Sequence, residues 1–324
     1  MKKKILEIKD LKVSFSLNNK KGNAVDGLNL DVYEDEILGL VGESGSGKSV
    51  TAYSVLGLIS EPPGKIESGK IIYNGTDLLK LSFEELRKFR GSEIAMIFQE
   101  PGSALNPVMT VESQLAEVFN AREKTDGKEI YEKSVELLSQ VGIPDAGKRI
   151  KEYPGSLSGG MQQRVMIAMA LAGNPSLLIA DEPTTSLDVT VQAAILDLML
   201  KLKEQNKISS IVLITHNLGV VAGTCGSVAV MYGGKIQESS STKEIFLYPL
   251  HPYTKLLLES VPVFGKQRGD DLKSIPGSVY GIYDNPPGCK FYGRCPAQKK
   301  ECGVTEPPLK EIKEGHFVRC FLYE

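Results

Sequence analysis

The sequence has no apolar run long enough to cross a membrane. Its longest, Val165–Gly173, has nine residues, against the roughly 20 that a spanning helix needs. The opening Met1-Lys-Lys-Lys-Ile-Leu-Glu has no apolar stretch behind its lysines, so no secretory signal is legible and a cytosolic protein is expected. An excess of one charge is also missing: 38 basic residues stand against 40 acidic ones, a formal charge of −2. A nucleic-acid binder working through bulk electrostatics would be clearly basic, so that class is set aside. There is no internal repeat and no low-complexity tract. Cysteines are few, five in 324 residues, but four of them fall in the last 36.

What is present is ordinary for a globular protein: 41% hydrophobic and 24% charged residues, which excludes wholesale disorder. The length suggests two domains or one large domain with an appendage. Ile5–Phe15 and Leu28–Val32 alternate as strands do, with the polar insert Asn18–Asn23 between them as a turn. Ile37–Val41, Leu177–Ala180 and Ser210–Ile214 are short continuous apolar runs, as expected of strands buried on both faces. Lys48–Ile59, Glu84–Arg90, Val111–Arg122, Glu129–Val141, Ser158–Ala172 and Val189–Gln205 read as helices. Strands alternating with helices predict an α/β fold around a mainly parallel sheet. A helical insertion is expected at about residues 100–160, and beyond about 250 closely spaced prolines argue against regular elements.

Gly42-Glu-Ser44-Gly45-Ser46-Gly47-Lys48-Ser49 fits G-x-x-x-x-G-K-[ST], preceded by a buried strand and followed by a helix. Glycines let successive backbone N–H groups converge on phosphate oxygens at the helix N-terminus. Lys48 would neutralise the β- and γ-phosphates and Ser49 would offer its hydroxyl to Mg²⁺. The run Leu177-Leu-Ile-Ala ends in Asp181-Glu182, which places two carboxylates at the C-terminal edge of the sheet. Asp181 would serve the magnesium ion, and Glu182 would act as general base on the attacking water. A nucleoside triphosphate is the expected ligand.

With these motifs on the page, the chain resembles the ATP-binding subunit of ABC transporters over about residues 4–240. Leu157-Ser158-Gly159-Gly160-Met161-Gln162-Gln163-Arg164 is similar to the family's signature sequence. The resemblance implies that Ser158, Gly159 and Gly160 close on the γ-phosphate held by a second ATPase chain. Met161 stands where glutamine is usual. Phe98-Gln99 resembles the glutamine loop, which implies that Gln99 senses magnesium and abuts a membrane subunit. Ser186-Leu187-Asp188 resembles the loop that communicates across the dimer, and Thr215-His216 the switch histidine. Phe15 is the best candidate to stack on adenine, with a plain core role left open. Val50 replaces a threonine common in relatives and keeps only its backbone N–H available.

The tail narrows the branch. His251-Pro252-Tyr253-Thr254, Ile275-Pro-Gly-Ser and Pro287-Gly-Cys289-Lys-Phe-Tyr-Gly-Arg-Cys295-Pro resemble the C-terminal extension of dipeptide and oligopeptide importer ATPases. Cys289, Cys295, Cys302 and Cys320 lack the paired C-x₂-C spacing of a zinc ribbon. Their residue types leave a [4Fe–4S] cluster, zinc, or unligated or disulfide-paired thiols open, and the resemblance favours the cluster. Cys225 is expected to be a small core residue.

The resemblance implies a P-loop NTPase core at residues 1–250 with a helical signature subdomain, and a proline-rich, cysteine-containing extension at 251–324. It implies peptide import driven by ATP, two permease subunits, an extracytoplasmic peptide-binding protein, and a seat on the cytoplasmic face of the membrane. A related but different ATPase chain is the expected dimer partner, with a homodimer as the alternative. Nickel or another small solute is the alternative cargo. A soluble ABC ATPase of DNA repair or translation is the alternative class, although neither a duplicated cassette nor a long coiled coil is present.

Overall fold

The computed structural model describes residues 2–122, 126–184, 189–205, 208–260, 274–284 and 286–323. They fall into two compact units, Met1–Lys80 with Ile214–Glu324, and Leu81–Leu213. The strand Ser210–Thr215 begins in one and ends in the other.

The first unit holds an antiparallel sheet in the order Lys20–Tyr33, Lys4–Leu17, Gly64–Tyr73, Thr76–Asp77. Lys4–Leu17 pairs on both sides, Glu7 with Asp31 and with Ile72, and it buries Leu6, Ile8, Leu11 and Val13. Register shifts near Leu11 explain why its alternation is imperfect. A second group is built on Ile37–Val41, buried along its whole length and parallel to Ser227–Tyr232. Ser227–Tyr232 turns back through Gly233 and Gly234, both at positive φ, into the antiparallel strand Lys235–Ser241. That two-residue turn is the form that matches strand twist, and it requires φ > 0 at both positions. His316–Val318 and Lys310–Lys313 then extend the edge.

The second unit pairs Ile94–Ile97 with Leu177–Asp181 in parallel, every residue of both buried. Its helices Val111–Arg122, Gly127–Gln140 and Gly159–Ala172 pack on one another, and Leu115, Leu138 and Ile167 on them are fully buried. Phe83–Phe89 starts with a reciprocal cap, in which the Ser82 hydroxyl accepts from Glu85 N–H and the Glu85 carboxylate accepts from Ser82 N–H. Among the described residues no helix is long and apolar enough to cross a membrane.

Two expectations need correction. The helix begun at Lys48 stops at Val55, because Gly57 takes φ +59° and turns the chain out. The tail is not free of regular structure: Pro252–Glu259 is a helix with proline at its first position, where no N–H is needed. Strand His316–Val318 pairs with Lys235–Ser241. Phe291 anchors this region, fully buried among Tyr232, Tyr253 and His251, with its ring 5.2 Å from both tyrosine rings. Burial of such a ring contributes about 3 kcal/mol.

Candidate functional site

In the first unit, the strand Ile37–Val41 delivers the chain into Gly42–Ser49. Gly42, Gly45 and Gly47 all have positive φ. A side chain at Gly42 would meet the Met231 carbonyl at 2.1 Å, and one at Gly47 would meet the Ala24 carbonyl at 2.4 Å. Glycine is therefore required twice over, by dihedral and by space. Lys48 is 5% exposed and donates to the carbonyls of Gly42 (2.8 Å) and Glu43 (2.9 Å) and to Ser46 Oγ (3.3 Å). The ammonium is thus held at the centre of the loop, and the helix Lys48–Val55 begins immediately behind it. Ser44 and Gly45 are exposed, while Ser49 and Val50 are half-buried. His216 is exposed after the strand Ser210–Thr215, and Phe15 is half-buried with its ring edge against Gly64.

The loop is supported from the C-terminal extension, which sequence reasoning missed. Tyr253 Oη accepts the Glu43 N–H at 2.9 Å, and Arg294 Nη1 donates to Glu43 Oε2 at 2.9 Å. His251 Nδ1 in turn accepts the Tyr253 N–H at 3.0 Å and caps the helix Pro252–Glu259. Burial pushes His251 down to about 3, which keeps it neutral and able to accept. The motif around His251 was visible in the sequence, but nothing in it pointed at Glu43.

The same extension brings Cys289, Cys295, Cys302 and Cys320 around one small cavity that His251 and Phe291 also line. The expected [4Fe–4S] cluster is nevertheless not supported. All four are free thiols, and among the described residues no group of three or more His, Cys, Asp or Glu is arranged to hold a metal. Burial pushes the Cys289 thiol up to about 11 and also raises Cys295 and Cys320. Cys225 is a buried core thiol, raised to about 12 by its burial and seated against Gly39.

In the second unit, Asp181 is fully buried at the end of Leu177–Asp181, and Glu182 follows at φ +45°. A non-glycine residue in that region stores strain of about 1–3 kcal/mol and is concentrated at functional sites. Gln99 Nε2 donates to Glu182 Oε2 at 3.2 Å, so the two predicted residues meet although 83 positions separate them. Ser158 caps the helix Gly159–Ala172, its hydroxyl accepting the Met161 N–H at 3.3 Å. Ser158 and Gly159 are exposed and Gly160 lies beside Val191. Ser186, Leu187 and Asp188 lie outside the described residues.

Comparison with known proteins agrees with this arrangement. The family model described as "ABC transporter" matches residues 25–185, and that of the "Oligopeptide/dipeptide transporter, C-terminal region" matches 237–302. The chain is 47% identical to the oligopeptide transport ATP-binding protein AppD of Bacillus subtilis over 99% of this chain and 97% of the relative. It is 45% identical to the dipeptide transport ATP-binding protein DppD of the same organism, over 99% and 95%. Among solved structures, the dimeric post-hydrolysis ATP-binding cassette MJ0796 bound to ADP and Pi superposes with a TM-score of 0.66 at 26% identity, covering 73% of this chain and 98% of that one. Also, cbiO1 from Clostridium perfringens, part of the ABC transporter complex cbiONQ, superposes at 0.63 and 26%, covering 76% and 92%. A strand-loop-helix that clasps its own lysine, a strained carboxylate bonded to a glutamine, a serine-capped helix and a matching tail leave one classification: the chain belongs to the ABC transporter ATP-binding family, as the ATP-hydrolysing subunit of a peptide importer.

Proposed function

We propose that this chain is one half of a nucleotide-operated clamp at the cytoplasmic face of a membrane. Family membership brings a dimeric ATPase arrangement and membrane permease partners. The finer reading is a heterodimer with a related ATPase chain, beneath two permeases that receive peptides from an extracytoplasmic binding protein. Residues 1–250 would form the motor and 251–324 the importer-type extension.

The observation that carries the mechanism is the hydrogen bond from Gln99 to Glu182, in a carboxylate already strained out of the ordinary backbone regions. In this reading Gly42–Ser49 takes the triphosphate, with Lys48 turning its ammonium from the loop carbonyls to the phosphates. Glu182 accepts a proton from water as the water's oxygen attacks the γ-phosphorus. The bond to the leaving oxygen breaks, and ADP and phosphate result. Gln99 holds the Glu182 carboxylate in orientation, His216 contacts the γ-phosphate, and Phe15 takes the adenine with Val50 beside it. Ser158, Gly159 and Gly160 offer helix-start N–H groups to the partner's nucleotide, and Asp188 relays across the pair.

Each unit carries hard oxygen donors of the kind magnesium takes, the Ser49 hydroxyl in one and the Asp181 carboxylate and Gln99 amide in the other. Magnesium bound with ATP would neutralise charge on the phosphates.

The test is Glu182→Gln. ATP hydrolysis should fall about a thousandfold, while ATP stays bound and a closed pair accumulates in size-exclusion chromatography. Hydrolysis at the parent rate would remove Glu182 from the role of base.

A further inference from the structure

A carboxylate inside a loop that must hold a triphosphate is an electrostatic burden, since neighbouring negative charges disfavour each other. Glu43 is such a group, the residue directly after Gly42, with its own carbonyl bonded to Lys48. Its carboxylate Oε2 meets Arg294, whose side chain is only 7% exposed, at 2.9 Å. The second oxygen, Oε1, is buried and has no hydrogen-bond partner among the described residues. Among the described residues the ion pair of the Glu43 carboxylate is with a cation 251 residues away in the tail.

Arg294 does more than pair. Its Nε donates to the Pro276 carbonyl at 2.9 Å, Nη2 to the Ile275 carbonyl at 3.4 Å, and Nη1 to Tyr232 Oη at 3.2 Å. Its guanidinium lies 5.7 Å from the Tyr232 ring centre and 5.9 Å from that of Phe291. The chain beyond Pro276 shares a cavity with Gly45 of the loop, through Tyr280 and Ile282. It also lies flat on Gly22, where a side chain would meet the Ile282 carbonyl at 2.1 Å. One guanidinium thus joins the phosphate loop, the strand Ser227–Tyr232 and the tail segment 275–284.

We propose that Arg294 is a positioning residue for nucleotide binding, which neutralises Glu43 and fastens the C-terminal extension to the phosphate loop so that the tail sets the loop's affinity for ATP. The proposal rests on Gly42–Ser49 being the triphosphate site. Removing the cation strands a partly buried carboxylate beside the phosphates, and the penalty of an unpaired charge in such a place is large.

The experiment measures ATP binding to the full chain by equilibrium dialysis with magnesium present. Arg294→Gln, which keeps a donor for the tail carbonyls but loses the charge, should weaken ATP about tenfold. Adding Glu43→Gln to that chain should restore affinity to within about threefold, since the stranded charge is gone. Arg294→Lys, which keeps the charge without the planar fork, should stay within about threefold of the parent. Unchanged affinity in Arg294→Gln, no restoration by Glu43→Gln, or an equal loss in Arg294→Lys overturns the proposal. If Arg294→Gln is recovered unfolded, Arg294→Met, which removes the charge and keeps an unbranched side chain, takes its place: a loss of about tenfold that Glu43→Gln reverses is expected, and unchanged affinity overturns the proposal. Lys48→Ala separates the two layers: if it binds ATP like the parent, the triphosphate site itself is misassigned. If it loses ATP while Arg294→Gln does not, only the positioning role falls.

Discussion

The phosphate loop and the start of the signature helix are both helix N-termini proposed as anion sites, yet they are built in opposite ways. At the loop, Ser46 and Lys48 are buried, three oxygens of the loop hold the lysine, and the tail braces the turn through Tyr253 and Arg294. At the signature helix, Ser158 and Gly159 are exposed, and the cap bond to Met161 is internal to the turn. The contrast has a physical reading. A buried, self-braced loop is preorganised to grip a ligand within its own chain, whereas an exposed helix start gains a ligand only when another surface brings one. Nucleotide binding and nucleotide-driven pairing should therefore be separable by mutation.

The largest effect expected is at the loop. Lys48→Ala should lower ATP hydrolysis at least about a hundredfold, because a preorganised cation at the phosphates is lost. Binding of ATP by the isolated chain should be lost with it in equilibrium dialysis. Retained hydrolysis would erase the distinction between the two sites. Ser158→Ala should act differently. Single-chain ATP binding should persist, while ATP-dependent pairing measured by light scattering in the Glu182→Gln background should drop about tenfold. Stability should fall by only about 1 kcal/mol, the worth of one helix cap. Lost binding without lost pairing would reverse the assignment.

The smallest effect concerns the brace. His251 is held neutral in the fold, at about 3, while an unfolded histidine takes its proton near 6.5. Between those values the unfolded state binds more protons, so stability is fully present above about 6.5 and declines as pH falls toward 3. His251→Asn, whose amide oxygen can replace Nδ1 at the cap, should melt with a shallower dependence on pH from 7 to 5. An identical slope in the two proteins would show that His251 does not contribute. The signature helix has no such group in its cap, so Ser158→Ala should leave the slope unchanged.

Legibility differed between regions for reasons that individual residues make plain. Ile37–Val41 and Leu177–Ala180 were readable because strands buried on both faces must be apolar throughout, and each runs directly into its motif. The helix Val111–Arg122 was found with its observed limits from its pattern alone. Gly64–Tyr73 escaped notice because two glycines and a Glu-Ser pair interrupt its alternation, although pairing with Lys4–Leu17 makes it a strand. Lys310–Lys313 is exposed at all four positions and carries no burial signal. The cysteine quartet was misread because clustering in sequence does not show how side chains are arranged in space, and among the described residues no group of three or more is arranged to hold a metal.

The amino-acid order alone determined the local geometry: which glycines turn the loop, which lysine sits in it, and which carboxylates end a buried strand. Such motifs are legible because backbone geometry demands particular residue types at fixed short spacings. Folding alone decided that Glu43 would find Arg294, that Gln99 would find Glu182, and that a proline-rich tail would brace the loop. Those pairs are joined by packing across long stretches of chain, and no local propensity encodes which distant side chains share a low-dielectric pocket.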